Sequence, residues 1–149
     1  MAKVTFNRRT RREKIIQSLF SLSMDDAQSV EQAVLTAVNY NDSSDNDHDF
    51  QVADVETLIE TIESLNELKI EIDERIQQQL ENWNFTRITK IDLAILRLAI
   101  YEMFYVSDES VPKKVAINEA IEIAKRYSDD KSPKFINGVL SNLLKKEEV

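Results

Sequence analysis

The stretch Thr89-Lys90-Ile91-Asp92-Leu93-Ala94-Ile95-Leu96-Arg97-Leu98-Ala99-Ile100-Tyr101-Glu102-Met103-Phe104-Tyr105-Val106 decides the fold. From Ile91 onward its only charged residues are Asp92, Arg97 and Glu102, and apolar side chains fall on every face of the helix it would form. A helix that is apolar all round is buried all round. At about 18 residues the run approaches the length that crosses a bilayer. Three charges within it would each cost about 3 kcal/mol in lipid, so it reads instead as the central helix of a soluble bundle. Amphipathic neighbours must surround it, and function falls to what those neighbours show to solvent.

Composition agrees. The chain of 149 residues carries one glycine, two prolines and no cysteine. That length supplies one domain, residues 1–149, with a real core. So few turn-formers leave no phosphate-cradling loop and no set of short strands, making the fold all-α. The absence of cysteine removes disulfides, thiolate zinc sites and cysteine nucleophiles together. No apolar signal core follows the N-terminal charges, so the chain is expected to be cytoplasmic, with no membrane association.

Working outward from the central helix, hydrophobic periodicity predicts about seven helices. Thr5 or Asn7 caps the first, which runs to about Met24 with Ile15, Ile16, Leu19, Phe20 and Leu22 inward. Ser29 to about Tyr40 forms the second, on Val30, Ala33, Val34, Ala37 and Val38. The third and fourth, about 50–66 and 67–81, carry stripes of Val52, Val55, Ile59, Ile62, Leu65 and of Leu68, Ile72, Ile76, Leu80. After the central helix, Pro112 opens a helix to Tyr127 that buries Val115, Ile117, Ala120, Ile121 and Ala124. Ser132-Pro133 opens the last, with Ile136, Leu140 and Leu143 inward. Gly138 falls inside it, at a cost of about 1 kcal/mol relative to alanine, which close approach of another backbone would explain. Arg97, a lone cation among apolar neighbours, needs a carboxylate partner, for which Glu119 or Glu102 is expected.

The net charge of −8 is unevenly spread: residues 1–14 are at +5, residues 15–82 at −14, and residues 83–149 at +1. A basic arm on an acidic body suggests two different partners. Arg8, Arg9, Arg11 and Arg12 crowd the first turns of the first helix, where cations oppose the helix dipole. A bound phosphate explains them, since arginine forks and free N–H groups both favour one. A solvated basic tail is the alternative. Lys131, Lys134 and Phe135, at the start of the last helix, combine cations with an aromatic ring that is either core or a stacking platform for an unstacked base. Glu56, Glu60, Glu63 and Glu67 make the opposite kind of surface, which repels nucleic acid and suits water or a basic protein. Asp45, Asp47, Asp49 and Glu56 mimic calcium-loop spacing, but Phe50 stands where the sharp turn needs glycine, so the acidic stretch 41–49 reads as solvated linker and His48 as exposed. No metal, cofactor or catalytic group is expected, because nothing sets a nucleophile, base or anion hole beside the carboxylates.

Several motifs together resemble one family. Arg8-Arg9-x-Arg11-Arg12-Glu13-x-x-x-Gln17-x-Leu19-Phe20, Leu96-Arg97-Leu98-Ala99-Ile100-Tyr101-Glu102, Val115-Ala116-Ile117-Asn118-Glu119-Ala120-Ile121-Glu122-x-Ala124-Lys125 and Lys134-Phe135-Ile136-Asn137-Gly138-Val139-Leu140 follow one another as in the NusB family of bacterial transcription antitermination factors. The resemblance spans nearly the whole chain and leaves only 41–53 unmatched. It implies two small antiparallel bundles sharing long helices, and no enzymatic activity. It also implies binding to single-stranded boxA RNA of nascent ribosomal transcripts, jointly with the small-subunit ribosomal protein NusE, in an antitermination complex on RNA polymerase. On this resemblance Arg8, Arg9, Arg11 and Arg12 form the RNA arm, and Lys134 with Phe135 a second RNA-facing patch. Phe20, where the family usually has tyrosine, and Asp92, where it usually has glutamate, face the ribosomal protein; a core ring and a first-turn helix acid are the alternatives for these two. The chain is also similar to the N-terminal domain of RNA cytosine methyltransferases, and a plain helical protein-interaction module would share its general pattern.

Overall fold

Every regular element in the computed structural model, which describes residues 7–40, 50–80 and 84–147, is helical. The elements are α1 (Arg8–Met24), α2 (Val30–Asn39), α3 (Val52–Glu67), α4 (Lys69–Gln77), a 3-10 turn (Phe85–Arg87), α5 (Lys90–Phe104), α6 (Lys113–Tyr127) and α7 (Ser132–Glu147). The seven expected α-helices are thus present, and contacts gather them into two compact units, 1–66 and 67–149. Among the described residues no helix is long and apolar enough to cross a membrane.

In the first unit, Asn7 supplies the cap: its Oδ1 accepts the Thr10 N–H at 2.8 Å. Ile15, Ile16 and Leu19 are buried, as are Ala33, Val34 and Ala37 of α2, the helix α1 packs against. A reciprocal capping box starts α2, the Gln32 N–H donating to Ser29 Oγ and the Ser29 N–H to Gln32 Oε1. Lys14 is buried too, because its Nζ donates to the Tyr40 carbonyl at 3.2 Å, beyond the end of α2, and lies over the Tyr40 ring. In α3 the expected stripe holds at Ile62 and Leu65 and is displaced in its first half. Val52 is 74% exposed, and the inward positions are Asp54, Leu58, Ile62 and Leu65. Asp54 takes the inner place of the first turn since its Oδ2 accepts the Gln51 N–H at 2.8 Å, satisfying a donor that the helix leaves open. The calcium-like spacing breaks at this point, Val52 onward being helix, while its aspartates and His48 lie outside the described residues.

The second unit is built on α5, which packs against α4, α6 and α7. Ala94, Ile95, Leu96, Leu98, Ala99, Ile100 and Met103 are buried, the all-round burial its sequence requires, and each large side chain among them contributes about 1.5–3 kcal/mol. The partner of Arg97 is neither Glu119 nor Glu102. Its Nε and one terminal nitrogen donate to the two carboxylate oxygens of Asp73 on α4, both at 2.8 Å. Glu102 is five positions on, about 140° around the helix, and so points elsewhere. Ile117, Ala120 and Ala124 of α6 are buried as expected; Val115 is exposed, and Ile123 takes an inward place instead. In α7, Ile136, Leu140 and Leu143 face inward. Gly138 is the further correction: it is exposed, and a methyl group built on it would meet nothing within 4 Å among the described residues, so none of their backbone approaches it closely.

Candidate nucleic-acid interface

The arginines at the start of α1 divide into two pairs. Arg8 and Arg9 are exposed. Arg11 is half-buried and donates to Thr61 Oγ1 of α3 at 2.6 Å, while Arg12 is only 4% exposed. Helical spacing explains the division, because Arg12 shares a face with Ile15, Ile16 and Leu19, whereas Arg8 and Arg9 precede the first inward turn. The arm expected from sequence is thus half as long in space, and two of its four members belong to the packing of the first unit. Phe20, on the same helix, is 37% exposed, with Met24 one turn further on at 61%. A ring that remains this open is no core residue. The acids Glu56, Glu60, Glu63 and Glu67 of α3 are all exposed, as expected.

In the second unit two chain segments, 87–92 and 129–135, converge on a pocket of about 140 Å³ lined by Arg87, Ile88, Thr89, Asp92, Asp129, Lys131, Ser132 and Phe135. Thr89 caps α5, its Oγ1 accepting the Asp92 N–H, and this aims the Asp92 side chain toward the start of α7. There it accepts from Ser128 Oγ at 2.6 Å and from Ser132 Oγ at 2.8 Å, and the residue is only 6% exposed. The burial removes the exposure that a direct contact with a protein partner needs, and the first-turn acid is the reading the geometry favours. Ser132 was expected to cap α7. It turns instead to Asp92, and Asp129 Oδ1 takes over the cap, accepting the Lys131 and Ser132 N–H groups at 2.9 and 3.0 Å. These bonds, that from the Lys131 N–H foremost, hold the Asp129 carboxyl below the ordinary aspartate pKa. Lys131 and Lys134 are exposed and Phe135 is half-buried, so the ring is partly core and partly open to the pocket.

Arg87 was not expected from the sequence at all. It is exposed on the 3-10 turn before α5, and an isolated charge in a short connection carries no periodic signal. Among the described residues Arg8, Arg87 and Lys134 make no ion pair and no side-chain hydrogen bond. The same residues hold no cluster of acids and histidine able to bind a metal ion.

The fold places the chain among small all-α proteins built by packing helix on helix. Within that class it belongs to the NusB family, whose model matches residues 9–145. It is 43% identical over 149 aligned residues to a protein of Enterococcus faecalis named transcription antitermination protein NusB, spanning 97% of this chain and 94% of that one. A protein of the same name from Clostridium botulinum is 42% identical over 94% of this chain and 99% of its own. Among solved structures, T. maritima NusB superposes with a TM-score of 0.79 at 32% identity, over 95% of this chain and 93% of that one. A chain from a structure of the antitermination factors NusB and NusE with double-stranded RNA has a TM-score of 0.73 at 20% identity, over 93% of this chain and 96% of that one, a likeness of fold.

Proposed function

We propose that this chain is a transcription antitermination factor that acts by binding rather than by turnover, with residues 1–149 serving as one RNA-binding domain. It binds the single-stranded boxA element of nascent ribosomal RNA together with the ribosomal protein NusE, and the pair joins the cytoplasmic RNA polymerase complex that reads through terminators. The observation that carries the RNA half of this reading is the position of three exposed cations on a chain of net charge −8: Arg8 at the start of α1, Arg87 before α5 and Lys134 at the start of α7 beside a half-open ring, each, like Lys69, Lys114, Lys145 and Lys146, without an ion pair or side-chain hydrogen bond. Cations that stabilise nothing in the chain itself are available to phosphates. Arg9 and Lys131 are exposed close by in the sequence and extend the two patches. The protein half is supported by the exposed acids of α3 and the open Phe20 ring, which suit a basic partner.

The test is fluorescence titration of boxA RNA and a scrambled RNA of equal length, with and without NusE. Preference for boxA that sharpens when NusE is added is the expected result. Equal binding of the two RNAs would reduce the chain to a general helical interaction module, and a preference for structured RNA that ignores NusE would favour the methyltransferase-like reading.

A further inference from the structure

The far end of α5 carries a cluster that the reading above does not use. Tyr101, Phe104 and Tyr105 fall on one face of the last turn, and all three are half-buried. The Arg75 guanidinium of α4 lies over the Phe104 ring at 4.5 Å from its centroid and over the Tyr105 ring at 5.8 Å. Tyr101 stacks beside Tyr105 at 6.3 Å between centroids, and the Tyr105 hydroxyl donates to Glu71 Oε2, one turn before Arg75, at 2.9 Å. The rings occupy a face of the guanidinium and leave its N–H edge unspent: among the described residues the Arg75 side chain makes no ion pair and no hydrogen bond. A stacked arginine with an open fork is shaped for a carboxylate or a phosphate. Charge decides between the two. With Asp73 committed to Arg97, the remaining charges of α4 are Lys69 and Arg75 against Glu71 and Glu74, which cancel. No excess of cations gathers a phosphate backbone here, whereas an arginine set among tyrosine and phenylalanine is the composition of a protein-interface centre.

We infer that this end of the second unit docks RNA polymerase itself, which sets a carboxylate in the Arg75 fork and apolar side chains against the Phe104 and Tyr101 rings. This rests on the antitermination reading above and adds to it the surface through which the RNA-bound chain joins the polymerase. The rings hold the guanidinium plane before a partner arrives, so little side-chain freedom is lost on docking. From Asp92 to Phe104 α5 rises about 18 Å, which separates this cluster from the cationic end of the same helix and lets both be occupied together.

The full-length protein, saturated with NusE and a short boxA RNA, is titrated with core RNA polymerase, and NusE alone is the reference. The native complex is expected to bind about tenfold more tightly than NusE alone. Arg75→Ala and Phe104→Ser return the affinity to the reference value while binding of NusE and of boxA is unchanged. Arg75→Lys lowers it as well, since an ammonium keeps the charge and the ring contact but not the fork, and it retains the circular dichroism melt should the other two lose it. No gain of the native complex over NusE alone overturns the inference and leaves RNA and NusE binding standing. A gain that survives the Arg75 variants overturns it too, because the polymerase then docks elsewhere. Loss of NusE or boxA affinity in those variants assigns the cluster to these partners, and the inference is wrong. A native chain that binds neither NusE nor boxA overturns the antitermination reading and this inference together.

Discussion

Arg97→Met is the perturbation whose size the structure defines best. The Arg97 fork spans both oxygens of Asp73 at 2.8 Å, and the two side chains are 12% and 24% exposed. Exposed ion pairs contribute about 0–1 kcal/mol. Removing one member of a fully buried pair costs about 3–5 kcal/mol, because the other charge stays behind without its partner. This pair lies between the two limits and nearer the buried one on the arginine side, which sets the cost at about 2 kcal/mol after allowance for the water that reaches Asp73. Methionine keeps most of the apolar stem, so the loss reports the charge rather than the packing. For a chain of this length that cost lowers the melting temperature by about 4–8 °C. Urea titration followed by circular dichroism measures it, with Arg97→Met, Asp73→Leu and the double variant forming a cycle. The double variant should recover much of the loss, since an apolar pair of similar volume is close to neutral. A single variant within about 0.5 kcal/mol of the native chain, or a double variant at the sum of the two singles, refutes the argument that this fork ties α4 to α5.

Gly138→Ala should raise stability by about 0.5–1 kcal/mol, because the new methyl meets open space in mid-helix; a lower melting point would contradict that space. Arg8→Ala should flatten the salt dependence of RNA binding by about 0.7 in log–log slope with an unchanged melt, whereas Arg12→Ala should cost about 1–3 kcal/mol of stability and leave the slope alone. If both variants change the slope equally, the division of the arm is wrong. Asp92→Lys should melt the second unit, since it removes the buried acceptor of the Ser128 and Ser132 hydroxyls and puts a longer charged side chain in its place. Phe20→Ala should leave the melt within about 1 kcal/mol and weaken NusE binding in a direct titration. The reverse pattern would return Asp92 to the protein interface.

The central helix was legible because an all-round apolar pattern has one structural meaning, and α5 is buried as that pattern demands. The first helix was legible as to place and cap but not as to which arginines face out, because Arg11 and Arg12 read as members of one outward arm with Arg8 and Arg9 until α3 brings Thr61 to one of them and the turn of α1 buries the other. The stripe of α3 slipped for a related reason: the apolar residues admit two faces, and the choice is made by Asp54 turning in to serve the helix end. Asp73 was hidden from the sequence reading because 24 residues separate it from Arg97, and only the packing of α4 on α5 brings them together. Arg87 carried no pattern to find, since its significance lies in the residues around it, Asp92 and Phe135, that belong to other elements.

The row of exposed glutamates on α3 bears on competition. A cell holds a vast excess of RNA that is not the intended target, and a protein with a broadly positive surface would be sequestered by it. At physiological ionic strength charges act individually within about 8 Å, and beyond that a polyanion meets a weak, screened repulsion set by the acidic body. The few free cations are felt only by a strand already brought close. Such a chain forgoes affinity for RNA at large, and it holds a strand only where local contacts outweigh the repulsion of the acidic body.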